Sequence, residues 1–239
     1  MATRNVLTYG NTKTAKGEAS GYLTGILHLA PGKLAGIEVC PKASAGCLAA
    51  CLNTAGRGRF DKSQQARINK TRWLFDDRKG FMAALVKSIE ATARKAQREG
   101  LTPTIRLNGT SDLPWEKFKC ERNGVEYRNP MDAFPEVQFY DYTKIPARAI
   151  KWAERRMPAN YHVTFSAAEN NEQACRMVSM AGGNVAVVFD AIPDSWYGRK
   201  VVNGDETDLR FLDPAGVVVG LKAKGEAKHD NSGFVRKVA

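Results

Sequence analysis

Residues 137–166 of the chain are VQFYDYTKIPARAIKWAERRMPANYHVTFS, and the fold prediction starts from this stretch. It contains two strand candidates, Val137–Tyr142 and Tyr161–Ser166, with a helical segment, Ile145–Arg156, between them. A strand, a helix and a second strand in this order are typical of two parallel strands joined by a helical crossover. The stretch therefore predicts one unit of an α/β fold.

The same alternation continues on both sides of this stretch. Helical patterns lie within Asp61–Arg98 and Asn170–Met180. Further strand candidates are Leu23–Leu29, Thr104–Asn108, Val185–Phe189 and Val217–Leu221. We therefore predict an α/β fold with a mostly parallel sheet and flanking helices.

The chain has 239 residues, of which 43% are hydrophobic, so it is long enough for one substantial core. Residues 1–20 are polar and rich in Thr, Lys and Gly, which predicts a loosely ordered N-terminal segment. Residues 21–239 are predicted to form a single α/β domain with a cysteine loop at 40–51. Two polar segments punctuated by Gly or Pro, 115–135 and 193–214, are predicted to be insertions.

Thirty-six Lys and Arg residues against 25 Asp and Glu residues give a net charge of +11, which favours nucleic acid or an anionic small molecule as partner. The run Gly56–Phe60 suits phosphate or carboxylate, although it has no Walker-type Gly-Lys-Ser/Thr. The chain has no apolar run of membrane-spanning length, and its first residues lack the apolar core of a signal peptide. We expect a cytoplasmic protein with no membrane partner.

Three of the five cysteines, Cys40, Cys47 and Cys51, lie within a few residues of each other in VCPKASAGCLAAC, residues 39–51. In a reducing compartment such a group is more often a metal or redox site than a disulfide framework. Three thiolates leave iron or zinc with an open coordination position. Cys47 and Cys51 are four residues apart, so a helical turn would place both thiols on one face.

Three alternatives remain open for these cysteines. They could be buried, unreactive thiols, although the surrounding Gly, Ser, Lys and Ala are not typical of a core strand. Structural zinc usually needs four ligands, and no second cysteine pair or nearby His is present. An iron–sulfur cluster needs only the three, with Cys120 as the candidate fourth ligand and Cys175 as a core residue of a helix.

Polar residues follow each strand candidate, at the end where α/β folds bind ligands. Arg106, Asn108, Asp112 and Lys144 are the predicted cofactor-binding residues at this edge. Arg106 is flanked by Ile and Leu, so it must point into a polar interior or pair with an acid such as Asp112. Since any soluble strand becomes polar at its end, the recurrence across five strands carries more weight than any single residue.

Several segments together carry a family resemblance. They are Cys40-Pro41 with Cys47 and Cys51, Gly56–Phe60, Ile105–Asp112 and Phe139–Lys144. On these segments the chain resembles the phage gene product 88 family and, more distantly, the radical SAM barrel enzymes. The resemblance implies a viral origin, hence the host cell cytoplasm, a radical-SAM-like, incomplete (β/α) barrel and a 4Fe–4S cluster. It implies no known reaction.

The cysteine spacing departs from that of radical SAM enzymes. Their motif is Cys-x3-Cys-x2-Cys, whereas this chain has Cys-x6-Cys-x3-Cys, so S-adenosylmethionine binding does not carry over. The leading hypothesis is a phage-type iron–sulfur protein with a redox or radical-SAM-like role and an electron donor as partner. The alternative is a zinc-stabilised nucleic-acid-binding protein without catalytic activity. Whether the chain is an enzyme stays open.

Overall fold

The computed structural model describes residues 5–9, 12–54 and 56–238. Its α-helices are α1 (Thr12–Ala19), α2 (Ala45–Ala49), α3 (Asp61–Asp76), α4 (Arg78–Arg98), α5 (Pro130–Ala133), α6 (Pro146–Ala153) and α7 (Glu172–Met180). Its strands are β1 (Tyr22–Ile26), β2 (Thr102–Arg106), β3 (Cys120–Arg122), β4 (Val125–Tyr127), β5 (Gln138–Thr143), β6 (Tyr161–Ser166), β7 (Val185–Phe189), β8 (Ser195–Trp196), β9 (Arg199–Asn203), β10 (Val218–Lys222) and β11 (Val235–Arg236).

The main sheet has nine strands in the order β1-β2-β5-β6-β7-β10-β9-β8, with β11 pairing to β7. In this spatial order, every pair of neighbouring strands is parallel except the last, because β8 is antiparallel to β9. The predicted α/β class with a mostly parallel sheet is therefore confirmed. Within the described residues the sheet is open, with β1 at one edge and β8 at the other, so it forms no closed barrel.

Helix α4 shows why the helices pack on the sheet. The carboxylate of Asp77 accepts a hydrogen bond from the Gly80 amide at 2.9 Å and caps its first turn. Phe81, Leu85 and Ile89 recur every four residues and are fully buried against the sheet. Gly100, with φ +66°, ends the helical segment in a left-handed conformation that suits glycine.

The two faces of the sheet differ in chemistry because strand residues alternate in direction. Ile105 and Phe139 belong to the apolar core that also contains the α4 side chains. Their neighbours Arg106 and Tyr140 point to the opposite face, where they meet residues 205–213. This second face carries the polar side chains that reach the site described below.

The C-terminal strand β11 pairs with the part of β7 that extends beyond the end of β6. Strand β7 pairs with β6 only through Val185 and Ala186, whereas Val188 and Phe189 pair with β11. Since β10 occupies the other edge of β7, β11 lies on the β6 side. The C-terminal segment therefore lies beside β7 just past the carboxyl end of β6.

The N-terminal segment contains more structure than predicted. Helix α1 lies in it, and Val6 and Leu7 are buried because their apolar side chains join the core. Residues 1–4, 10 and 11 of the segment lie outside the described residues. No helix in the described ranges is both long and apolar enough to cross a membrane.

The two predicted insertions have structures of their own. Residues 115–135 contain the β3–β4 hairpin and α5, and Trp115 at their start is fully buried. Residues 193–214 contain the β8–β9 hairpin and the short 3-10 helix Arg210–Leu212. The second segment supplies the residues that meet the polar face of the sheet.

Candidate functional site

A cavity of about 240 Å³ opens at the carboxyl ends of β2, β5, β6, β7 and β10. Three of the four predicted metal ligands and all four predicted cofactor-binding residues line it, namely Cys40, Cys47, Cys51, Arg106, Asn108, Asp112 and Lys144. Its remaining walls are partly apolar and include Leu48, Leu52, Val188, Leu221 and Phe234. The sequence thus predicted which chain segments meet at this point.

Cys40 is fixed by the loop that follows β1. Its backbone amide donates to the Glu38 carboxylate at 2.6 Å, and its thiol lies 3.7 Å from the Thr110 carbonyl oxygen. The Asp112 amide donates to the Val39 carbonyl at 2.8 Å. These contacts hold the Cys40 loop against the loop that follows β2.

Cys47 lies on α2, which has only five residues. Ser44 caps this helix, because its hydroxyl oxygen accepts from the Cys47 amide at 3.2 Å. The Glu169 carboxylate accepts from the Ser44 hydroxyl at 2.6 Å and from the Gly46 amide at 2.8 Å. Burial raises the pKa of Glu169, but these hydrogen bonds outweigh it, so the pKa lies below its usual value.

The spacing of Cys47 and Cys51 predicted that one helical turn holds both residues. Cys51 instead lies beyond the end of α2, so the two do not share a helix. Its amide donates to the Leu48 carbonyl at 3.3 Å in a turn that leads into a 3-10 helix. The next residues are held by Asn53, whose side-chain amide donates to Gln64 at 2.8 Å. The predicted Gly and Arg loop is a second 3-10 helix, Gly56–Arg59.

The three thiols influence one another electrostatically. Burial, against the lowering effect of a hydrogen bond from the Gly32 backbone and with a further contribution from Cys51 and Cys47, raises the pKa of Cys40 to about 12. Burial also raises the pKa of Cys47 and of Cys51, against the lowering effect of the Lys144 charge. The thiols are therefore protonated near neutral pH, and a metal that binds them must displace protons.

The described residues contain no disulfide, since all five cysteines are separate thiols. They also contain no group of three His, Cys, Asp or Glu side chains placed to hold one metal ion. The three cysteines therefore share a cavity without converging on a single ion.

Asn108 and Asp112 line the cavity, but their side chains already form hydrogen bonds with other residues of the protein. The Asn108 side-chain oxygen accepts from the Leu113 amide at 2.9 Å and from the Trp115 indole at 3.1 Å. The Asp112 carboxylate accepts from the Lys144 amide at 2.7 Å and from Arg148 at 2.7 Å. Both residues shape the loops of the cavity.

The suggested partner of Arg106 is therefore wrong. Arg106 does not pair with Asp112, which already contacts Arg148; its guanidinium lies 2.8 Å from Asp208. Arg106 also lies over the ring of Tyr142, 4.7 Å from the ring centre. It does point into a polar interior, as its apolar flanks predicted.

Lys144 lies between the cysteine helix and β6. Its ammonium donates to the Ser166 hydroxyl at 2.8 Å and to the Ala167 carbonyl at 3.1 Å. It also lies 5.3 Å from the ring centre of Phe234. Lys144 therefore places a positive charge beside Cys47.

The structure does not bring Cys120 to the other three cysteines. Cys120 lies on β3, buried in the apolar core together with the residues of α4, and it is not part of the cavity lining. Cys175 lies on α7 and is buried in a second apolar cluster, as the sequence predicted. The predicted fourth ligand thus lies elsewhere in the fold.

A family model described as Gene product 88 matches residues 4–238. The chain belongs to the Gene product 88 family. The predicted membership in this phage gene product family is confirmed, which supports a phage origin. Neither the curated proteins nor the solved structures include a match to the chain.

In this Gene product 88 family member, two residues at the site were missed by sequence reasoning. Tyr142 lines the cavity, but its strand was predicted only as a strand. Asp208 lies 102 residues from its partner Arg106, in a segment predicted to be an insertion. No local sequence pattern predicts that either residue lies at the site, although the buried Arg106 does require a partner.

Proposed function

We propose that this Gene product 88 family member binds a 4Fe–4S cluster through Cys40, Cys47 and Cys51, with the fourth iron open to the cavity. One observation carries the proposal. All three thiols line a single cavity at the carboxyl ends of parallel strands, where α/β folds bind ligands. Cysteine thiolates are the usual protein ligands of such clusters.

The number of thiols at the cavity favours a cluster over a structural zinc ion, which usually needs four ligands. Zinc binds thiolates at about 2.3 Å, so its ligands must converge on one point. The part of the chain that the structure describes offers no three side chains arranged in this way. In a cubane each thiolate binds a different iron, so the three sulfurs stand farther apart. The zinc-stabilised, nucleic-acid-binding alternative is left with the net charge alone.

The surrounding residues support thiolate ligands. Lys144 beside Cys47 and Arg67 beside Cys51 favour the charged form of each sulfur. When bound, the cluster would supply an electron and a coordination position for a small molecule. The proposed role is redox or radical-SAM-like, with an electron donor as partner and S-adenosylmethionine as one candidate ligand.

Anaerobic reconstitution tests the proposal directly. We expect about four iron and four sulfide per chain, with a broad visible absorption that dithionite bleaches. Separate Ala variants of Cys40, Cys47 and Cys51 should each lose most of the iron. Cys175→Ala is the matched control and should keep it, because its thiol is buried elsewhere. A colourless wild-type protein with stoichiometric zinc would overturn the proposal.

Two further measurements refine the role. Cys120→Ala should retain its iron, because this side chain lies in the apolar core; a loss of iron would restore Cys120 as a remote ligand. Reductive cleavage of S-adenosylmethionine by the reconstituted protein would establish radical-SAM-like chemistry. Without cleavage, the proposed role narrows to electron transfer or structure.

A further inference from the structure

Two residues of the cavity lining each have a buried polar atom that finds no hydrogen-bond partner within the described part of the chain. These atoms are the Nε of Arg106 and the hydroxyl of Tyr142. Arg106 is only 8% exposed, and its guanidinium lies over the Tyr142 ring. Buried donors are rarely left without an acceptor, because their desolvation is costly. Two such donors on side chains that contact each other indicate that an acceptor from outside the chain binds here.

The charge of the lining favours an anionic acceptor. Its charged side chains are Arg106, Lys144, Lys222, Lys224, Asp112 and Asp205. Both carboxylates have cationic partners, since Asp112 pairs with Arg148 at 2.7 Å and Asp205 with Lys224 at 2.6 Å. Lys144 donates to neutral oxygens of Ser166 and Ala167 and also contacts the Cys47 thiol. The lining therefore carries four cationic side chains against two carboxylates, and one of the four, Arg106, also pairs with Asp208 outside the lining.

Strand geometry gives the length of a molecule that would fit. Tyr142 and Lys144 are two residues apart along β5 and its continuation, which corresponds to about 7 Å. Lys144 lies beside Cys47, so the Arg106–Tyr142 pair lies about one such step deeper in the cavity. Phe234 and Leu221 form part of the apolar wall.

We propose that Arg106 and Tyr142 form an oxyanion subsite. It binds the carboxylate or phosphate of a small organic molecule, whose apolar body lies along the cavity wall toward the cysteines. A guanidinium and a phenol hydroxyl are suitable donors to either anion. This inference names the class of ligand for the proposed cluster site and rests on that function for its meaning, but anion binding itself does not require the cluster.

Isothermal titration calorimetry on the full-length chain tests the subsite, with phenylacetate and phenyl phosphate as probes. We expect one binding site for at least one probe, and the tighter probe identifies the anion as carboxylate or phosphate. Tyr142→Phe removes only the unpartnered hydroxyl and should weaken binding about tenfold. Arg106→Lys keeps the charge but loses the planar fork, so its affinity should also fall.

Tyr140→Phe is the matched control. Tyr140 is buried on the same strand face but is not part of the cavity lining, so its variant should bind the probes as the wild type does. If neither probe binds the wild type, or if Tyr142→Phe binds as tightly, the subsite is refuted. Because Tyr142→Phe is a conservative change, it decides the question even if Arg106→Lys does not fold.

The same titrations on metal-free and reconstituted protein separate the two proposals. Probe binding that depends on Tyr142 in a chain that takes up no iron would keep the subsite and refute the cluster. A reconstituted cluster without probe binding would do the reverse. Tyr142→Phe should take up iron like the wild type, because the hydroxyl is not among the proposed ligands.

Discussion

Glu169 connects the cysteine helix to the sheet through a single side chain. One carboxylate oxygen accepts from the Ser44 hydroxyl, and the other accepts from the Gly46 amide. Helix α2 has only five residues, and a helix this short has little stability of its own. The position of Cys47 therefore depends on a contact 125 residues away in sequence, counted from Ser44 to Glu169.

Replacing Glu169 with Gln tests this dependence. Gln has one acceptor oxygen instead of two and no charge, so we expect the free energy of unfolding to fall by about 1–2 kcal/mol. Iron uptake on reconstitution should fall with it. Urea denaturation and iron analysis measure the two effects. Glu172→Gln is the control, because the Glu172–Arg176 pair is exposed to solvent and should contribute little to stability. Equal losses of stability and iron in both variants would contradict the proposed dependence of α2 on Glu169.

Helix α2 is also covered by the C-terminal segment, and the contact leaves no room for a side chain at Gly46. A methyl group there would overlap the Ser232 hydroxyl and approach the Phe234 Cβ within 2.8 Å. The same segment continues into β11, which pairs with β7. The C-terminal segment therefore both packs on α2 and pairs with β7, so a shift of this segment would affect both contacts.

Gly46→Ala should push the C-terminal segment away from α2 and weaken the pairing of β11 with β7. We expect a loss of about 1–3 kcal/mol in unfolding free energy, because overpacking forces the C-terminal segment to shift. Gly17→Ala is the control, since its methyl group would make ordinary contacts of 3.5–3.7 Å and a helical Ala is favoured over Gly. Amide hydrogen exchange of Val235 and Arg236 reports the strand directly. Unchanged protection there in Gly46→Ala would show that the segment does not depend on this contact.

The elements differ in how far the sequence predicts them. The strands that pair along β5 and β6 were predictable because each is a short apolar run with a helix between them. Strand β11 was not, because it has only two residues and it pairs with the part of β7 that extends beyond β6. The cavity residues followed from the rule that ligands bind at strand carboxyl ends, whereas the Arg106–Asp208 pair depends on a long-range contact.

At the scale of the molecule, the face of the sheet that meets residues 205–213, the polar face, buries several polar side chains. The polar face buries His162, which is 6% exposed, and the fully buried Arg210. The His162 ring lies 4.2 Å from the Trp152 ring, measured between centres, and its Nε2 lies 3.2 Å from the Thr164 hydroxyl. Burial and the positive charge of Arg210 lower the pKa of His162 from 6.5 to about 4.

This shift predicts how the stability of the whole fold depends on pH. Between pH 6.5 and pH 4 the unfolded chain binds a proton at His162 that the folded chain does not, so stability falls as the pH falls through this window. Between pH 7 and pH 5 the expected loss from this group is about 2 kcal/mol. His162→Gln has no titrating group and should lose that much less than the wild type over the same interval.

Urea denaturation of both proteins at pH 7 and pH 5 measures the difference, and His229→Gln is the matched control. His229 is exposed on the surface, so its replacement should leave the pH dependence close to that of the wild type. Carboxylates titrate in all three proteins and cancel in the comparison. If His162→Gln loses as much stability between pH 7 and pH 5 as His229→Gln, the buried His162 imidazole does not cause the loss of stability at low pH.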